Sequence, residues 1–360
     1  MIKVSKYIEA IEAYKITPQD VWSENAADNV LKIDWNEAPS DLSFYQDELK
    51  KIVNDRGLIA WYPDYLTIKL NDHISEYISL DHNNILTFPG SDVGLETLCR
   101  TFLDSDDIAV ALCPTYENFF VYALQTGAKL KKINIKKPFF INEKELEKQL
   151  TENDKVKLLY LVNPNNPCGY LLSEEFIKRI AVALPNSLIV IDEAYIEFSE
   201  QESSAKLIKD FSNIAVFRTF SKGFGMAGLR LGYMCADLDI INAVNKIRNG
   251  KNISMIAQKL GICALRNIDL INNWLDEVKE ARTIFEDWCS NNHLIFYKSN
   301  GNFVMFEVKN PNEVSSLLKS MGIYIRNRNS ILPGCIRVTI GSKKHADILI
   351  KALESMKNLL

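Results

Sequence analysis

Ser221-Lys222 lies just past the apolar run Ile214–Phe217, and Arg230 follows eight residues after the lysine. A lysine that forms a Schiff base needs partial desolvation or neighbouring cations, which leave its amine deprotonated part of the time. The bland alternative for a lone lysine is a solvated surface group. Asp192 closes a second apolar run, Leu188–Ile191, and Tyr195 comes three residues later. A carboxylate at the end of a buried strand needs a partner. A structural ion pair or a helix cap would satisfy it; so would a protonated ring nitrogen, with the Tyr195 phenol beside the same ring. Asn166 lies in the polar cluster Asn163–Gly169, which ends a third run, Leu158–Val162. Gly90-Ser91-Asp92 precedes a helical pattern over Val93–Leu103. Ser91 or Asp92 would cap that helix, whose start also offers free backbone amides to a phosphate. Arg326 and Arg328 flank Asn327, and Arg337 lies in the run Ile336–Ile340 behind Pro333-Gly334. A guanidinium there suits a carboxylate or phosphate held bidentately.

Residues 223–228 read Gly-Phe-Gly-Met-Ala-Gly and match G-x-G-x-x-G. A dinucleotide site would need that motif to open a long helix inside a strand–helix–strand unit. Leu229–Ala236 instead reads as another short strand, so the glycines are assigned to tight turns near a ligand.

The elements that would position these groups are short β-branched runs, each stopped by a polar or turn cluster. Ile108–Leu112 ends at Cys113-Pro-Thr-Tyr116, and the other three end at Asn163, Asp192 and Arg218. Helical patterns such as Ser173–Leu184 lie between several of them. This alternation predicts a parallel sheet with helices on its faces. Ligands in such sheets bind beyond the carboxyl ends of the strands, so the four clusters are expected to converge. After about residue 240 the texture changes. Helical patterns over Ile240–Arg266 and Asp269–Asn292 precede strand-like Asn302–Val308, helical Glu313–Met321, strand-like Ile336–Ile340 and a closing helix over Lys344–Leu359. A smaller α+β domain is expected there.

The chain has 360 residues, enough for two domains. Its 42 basic and 46 acidic residues leave a net charge of −4, which argues against nucleic acid or an anionic membrane as the main partner. No apolar run approaches the roughly 18 residues of a membrane span, and the charged start MIKVSKYIEAIEAYK does not read as a signal peptide. Seven scattered cysteines without a C-x-x-C pair read as reduced thiols of a cytoplasmic protein, and neither they nor the four dispersed histidines predict a metal site.

Together these residues resemble the pyridoxal-phosphate (PLP)-dependent aminotransferases of fold type I, most closely the histidinol-phosphate aminotransferases. The anchors are Asn36-Glu-Ala-Pro39, Trp61-Tyr-Pro63, Gly90-Ser-Asp92, Cys113-Pro-Thr-Tyr116, Asn163–Gly169, Asp192-Glu-Ala-Tyr195, Thr219-Phe-Ser-Lys222, Gly228-Leu-Arg230 and Ile336-Arg-Val-Thr339. The resemblance implies an α/β fold with a mostly parallel, seven-stranded-type central sheet. Residues 45–262 would form the large, cofactor-binding domain, and 1–44 with 263–360 the small one. It further implies that Lys222 holds the cofactor as a Schiff base and serves as general base, and that Asp192 pairs with the ring nitrogen. Asn166 and Tyr195 would bond the ring's phenolic oxygen and Tyr116 would stack on its face. The phosphate would rest on the Ser91 and Asp92 amides, Ser221 and Arg230. Tyr62 would reach that phosphate from the neighbouring subunit of a homodimer. Arg337 and Arg326 would hold the anionic end of a small phosphorylated amine or ketone, with glutamate/2-oxoglutarate as the second couple and ping-pong kinetics. The sequence departs from the family pattern at Ala38, Trp61, Cys168 and Glu117-Asn118. Trp61 and Glu117-Asn118 point to a smaller substrate such as dihydroxyacetone phosphate or serinol phosphate. A phosphoamino-acid decarboxylase shares nearly every one of these residues, and a nicotinamide dehydrogenase using Gly223–Gly228 is the rival from another class.

Overall fold

The computed structural model describes residues 2–9, 11, 30–38, 42–152 and 155–360. Its described strands, in chain order, are β1 (Leu31–Ile33), β2 (Ile85–Phe88), β3 (Ile108–Cys113), β4 (Lys129–Asn134), β5 (Val156–Val162), β6 (Leu188–Asp192), β7 (Ile214–Thr219), β8 (Gly232–Ala236), β9 (Phe296–Tyr297), β10 (Phe303–Glu307), β11 (Ile323–Asn327) and β12 (Cys335–Thr339).

Seven of these form one sheet in the order β2-β8-β7-β6-β5-β3-β4. It is parallel except for β8, which runs antiparallel to both neighbours. Period-two alternation explains why these runs are apolar throughout. Leu159, Leu161, Ile189 and Ile191 join the core on one face, while Leu158, Tyr160, Val190 and Phe217 join the core on the other. Helices cover both faces, including Ser91–Phe102 and Glu174–Ala183.

A second sheet has the order β1-β11-β12-β10-β9. Its apolar face (Ile33, Val304, Phe306, Ile336, Val338) packs with Phe285 and Trp288 of the long helix Ile268–Asn291 and Leu349 of the helix Lys343–Glu354. β1 pairs in parallel with β11, Leu31 opposite Ile323, so the described N-terminal strand is stitched into the C-terminal sheet.

Several sequence expectations are corrected. The helical pattern Ile240–Arg266 is broken into Leu238–Asn245, a short 3-10 turn at Gly250–Asn252, and Met255–Arg266, which Ser254 caps anew by accepting from the Ala257 amide. The strand expected over Leu229–Ala236 begins only at Gly232, because Arg230 has a left-handed backbone (φ 51°) after a 3-10 turn. The closing helix stops at Glu354, and a 3-10 turn covers Lys357–Leu359. Neither Ser91 nor Asp92 caps its helix. The helix starts at Ser91, and Gly90 holds the cap position without a side-chain bond. Pro39 and most of the N-terminal pattern lie outside the described residues.

Candidate active site

The four polar clusters do converge. A cavity of about 460 Å³ lies beyond the carboxyl ends of β3, β5, β6 and β7, lined among others by Tyr116, Asn166, Asp192, Tyr195, Ser221 and Lys222. The N-terminus of helix Ser91–Phe102 contributes Ser91 and Asp92, the turn before β8 contributes Arg230, and the second sheet contributes Arg326 and Arg337. Every sequence-predicted site residue except Tyr62 therefore faces one space. Tyr62 is 83% exposed, with the Lys251 amine 5.3 Å from its ring centroid.

Each side chain is held by its element. Asp192 is the last residue of β6 and is buried. It forms no ion pair and caps no helix among the described residues; its carboxylate accepts from the Tyr160 hydroxyl at 2.6 Å and the Ala194 amide at 3.2 Å. Burial pushes its pKa up to about 6, against the opposing pull of those two donors. Lys222 sits three residues past β7, partly buried and open to the cavity, and its amine donates to the Trp35 carbonyl at 2.7 Å. Burial lowers it to about 8. Glu37 opposes that shift, while Arg337 and Arg230 add to it. The desolvation and neighbouring cations expected of a reactive lysine are both present.

At the other end of the cavity Arg230 donates to Ser221 Oγ (3.3 Å) and the Ala227 carbonyl (3.1 Å) and pairs with Asp92 (3.3 Å). Asp92 also accepts from the Tyr116 hydroxyl at 2.7 Å, and Asn118 donates to that hydroxyl at 2.7 Å. Two glycines keep this corner open. A Cβ on Gly90, itself at φ 84°, would stand 2.5 Å from Arg230 Nη2, and one on Gly232 would stand 2.7 Å from the Ser91 amide nitrogen. A helix N-terminus, a hydroxyl and a guanidinium meeting at one point form an anion cradle.

Arg337, from the middle of β12, is buried and donates to Asn166 Oδ1 at 2.5 Å and to the Asp34 carbonyl at 2.8 Å, while its Nε has no hydrogen-bond partner. Burial and the neighbouring Arg328 bring it down to about 9. Asn166 in turn donates to the Tyr195 hydroxyl at 3.0 Å.

The sequence reading gave no site role to Trp35, Glu37, Tyr160 or Arg328, although it named Arg328 beside Arg326 and Glu37 within a motif. Trp35 and Glu37 flank Asn36 in a segment already singled out, which was their signal. A hydroxyl in the middle of the apolar run Leu158–Val162 needs a partner once buried, and that was the signal for Tyr160. Trp61 is exposed, with Arg56 over its ring, and does not line the cavity; of the Glu117-Asn118 pair only Asn118 does. The Gly223–Gly228 loop opens no long helix, as expected.

Residues 26–353 match the family described as aminotransferase class I and II. A dihydroxyacetone phosphate transaminase of Campylobacter jejuni is 32% identical over 98% of this chain and 97% of its own length. A histidinol-phosphate aminotransferase of Christiangramia forsetii is 34% identical over 85% of this chain and 87% of its own. In fold, the histidinol-phosphate aminotransferase of Sinorhizobium meliloti, solved in complex with pyridoxal-5'-phosphate, superposes with a TM-score of 0.87 at 22% identity, over 99% of this chain and 98% of that one. A cavity built on a desolvated lysine, a buried acid and an anion cradle is thus joined to full-length likeness, and the chain belongs to the class I and II aminotransferases.

Proposed function

We propose that the chain is a PLP-dependent aminotransferase acting on a small phosphorylated amine or ketone, with glutamate/2-oxoglutarate as the other couple. The observation that carries this reading is one cavity in which Asp192, at the end of β6, and Lys222, three residues past the neighbouring β7, share one space beside the anion cradle at Ser91.

The residues fit the cofactor. Asp192 is a buried acid with neutral donors on both oxygens and no cation paired to it among the described residues, so a protonated ring nitrogen would supply the countercharge its burial calls for. The Ser91 and Asp92 amides, Ser221 and Arg230 would take the phosphate, and the close approaches at Gly90 and Gly232 keep that corner free of a Cβ. Tyr116 would lie on the ring face, and Asn166 with Tyr195 would meet its phenolic oxygen. When bound, PLP supplies an electron-withdrawing ring that stabilises negative charge at the substrate's α-carbon.

Lys222 would hold that group covalently. Once released, its Nζ would take the α-proton and give it back, a task suited to an amine lowered to about 8. The Trp35 carbonyl offers this amine an acceptor at 2.7 Å. Arg337 and Arg326 would bind the substrate's anionic end. A smaller ketone is favoured as a second reading by the Campylobacter jejuni relative, a dihydroxyacetone phosphate transaminase alike over nearly its whole length.

By this reading residues 45–262 form the cofactor domain, and 1–44 with 263–360 the small domain. The enzyme would work as a homodimer in which Tyr62 reaches the neighbouring phosphate. It would be cytoplasmic, in keeping with seven buried free thiols; among the described residues no helix is long and apolar enough to cross a membrane.

The test is a panel of amines offered to PLP-loaded enzyme with and without 2-oxoglutarate: histidinol phosphate, serinol phosphate, their dephosphorylated forms and phosphothreonine. Turnover of phosphorylated amines that requires the keto acid supports the reading. Equal rates without the phosphate would remove the role given to Arg326 and Arg337, and carbon dioxide release without a keto acid would make the enzyme a decarboxylase.

A further inference from the structure

Asn36 is fully buried and has a left-handed backbone, φ 56°, a conformation that non-glycine residues hold only when their surroundings require it. Its surroundings do. The main-chain amide donates to Thr339 Oγ1 at 2.9 Å, and the main-chain carbonyl accepts from Asn302 Nδ2 at 3.1 Å. The side-chain carbonyl accepts from Thr339 Oγ1 at 3.3 Å, leaving the amide nitrogen to donate to the Tyr195 hydroxyl at 3.1 Å.

Tyr195 therefore receives two amide donors, one from Asn36 and one from Asn166 at 3.0 Å. The Asn166 amide cannot be turned around without loss, and the Asn36 amide is oriented by Thr339, whose hydroxyl already accepts from the Asn36 main-chain amide and gives its own proton to Oδ1. Arg337, which can only donate, occupies Asn166 Oδ1, and Thr339 occupies Asn36 Oδ1. A phenolic oxygen has one proton and two acceptor positions. With both acceptor positions filled, the proton is left to point away from both amides, and Tyr195 lines the cavity. The ring is fixed edge-on against Phe303, centroids 5.1 Å apart, so it cannot easily swing away.

The geometry points to Asn36 as a positioning residue that makes Tyr195 an obligate hydrogen-bond donor toward whatever acceptor occupies the cavity. This rests on the proposed cofactor, whose phenolic oxygen is that acceptor. The charged groups facing Tyr195 are Arg337 and Arg328 from the second sheet's side and Asp192 from β6. All three stay in place in the variants below.

A donor on the phenolic oxygen stabilises its deprotonated form, so the readout is the pH midpoint of the visible band of Lys222-bound PLP in the full-length protein. Asn36→Asp puts an acceptor where a donor stood and draws the Tyr195 proton away from the cavity. Asn36→Gly keeps the left-handed backbone and both main-chain bonds while deleting the amide, and it decides the matter should the first variant not fold. The expected result is a midpoint raised by about one pH unit in Asn36→Asp, the order of one charge-assisted hydrogen bond, and raised by less in Asn36→Gly. In a Tyr195→Phe background Asn36→Gly should leave the midpoint where Tyr195→Phe alone puts it, and the Asn36→Asp shift should shrink to what its new charge exerts through space. An unmoved midpoint, or a shift that persists undiminished without the Tyr195 hydroxyl, overturns the inference. Failure of the functional reading looks different: wild-type protein would then show no visible band at all, and the inference would fall with it.

Discussion

Lys222 and Asp192 each carry a burial cost that the proposed cofactor relieves, and this can be measured without it. The Lys222 amine falls from an ordinary 10.5 to about 8, so the folded protein disfavours its charged form. Below pH 8 both folded and unfolded chains carry the charge and the cost is fully present. Between pH 8 and 10.5 the folded state loses the proton first, so stability rises with pH through that window. Cofactor-free Lys222→Met is therefore expected to unfold at higher denaturant than wild type at pH 7, by roughly 2–3 kcal/mol. The advantage should fade by pH 10; a constant difference across the range would contradict it. Activity in the same variant should vanish. Asp192→Asn should lower kcat by roughly two to three orders of magnitude, the scale of losing one preorganised charge beside the reacting centre, with a much smaller change in folding stability. Both residues were legible in the sequence because strand ends and polar clusters are local signals. Asn36 was quoted only as part of a motif. Its partner Tyr195 lies 159 positions away, and no local pattern announces a contact of that span.

The strands announced themselves by β-branched runs ending in turn residues, and six of them (β3, β5, β6, β7, β10 and β12) were read within two residues of their ends. Those left unread are short or lack a continuous apolar signature. β4, Lys-Leu-Lys-Lys-Ile-Asn, is the edge strand beside β3, and its charged exposed positions mask a strand that only pairing completes. β11 carries Arg326 with a mostly half-buried pattern, so the element that aims a site arginine went unrecognised. The antiparallel β8 explains why glycine stands at its head: Gly232 faces Phe88 in register, and its missing side chain lets the Ser91 amide come close. Gly232→Ala must push the helix start or the strand aside, so PLP affinity should fall by at least tenfold while far-ultraviolet dichroism stays native. Gly90→Ala adds the strain of φ 84° to a contact with Arg230 and should cost stability as well, about 1–2 kcal/mol by denaturant titration.

The α/β class and the later change of texture were readable from alternation alone, whereas the order of the second sheet was not, since it joins residues from the two ends of the chain. At this scale the proposed homodimer has a direct test. Ile59, Trp61, Tyr62 and Tyr65 are all more than half exposed within seven residues, a density of apolar surface that calls for a cover. If Tyr62 serves the neighbouring site, mixing inactive Lys222→Ala with a Tyr62→Ala variant under subunit exchange should regenerate one intact site per mixed dimer and raise activity above either parent. No recovery, in a mixture shown to exchange, would mean each chain is self-sufficient. The pairing of Leu31 with Ile323 has a further consequence during synthesis. The segment that supplies the Lys222 acceptor is made nearly three hundred residues before the strand it lies against. The backbone that holds the Lys222 amine is thus tied to a strand almost three hundred positions away, and the site takes its described shape only once that long-range pairing has formed.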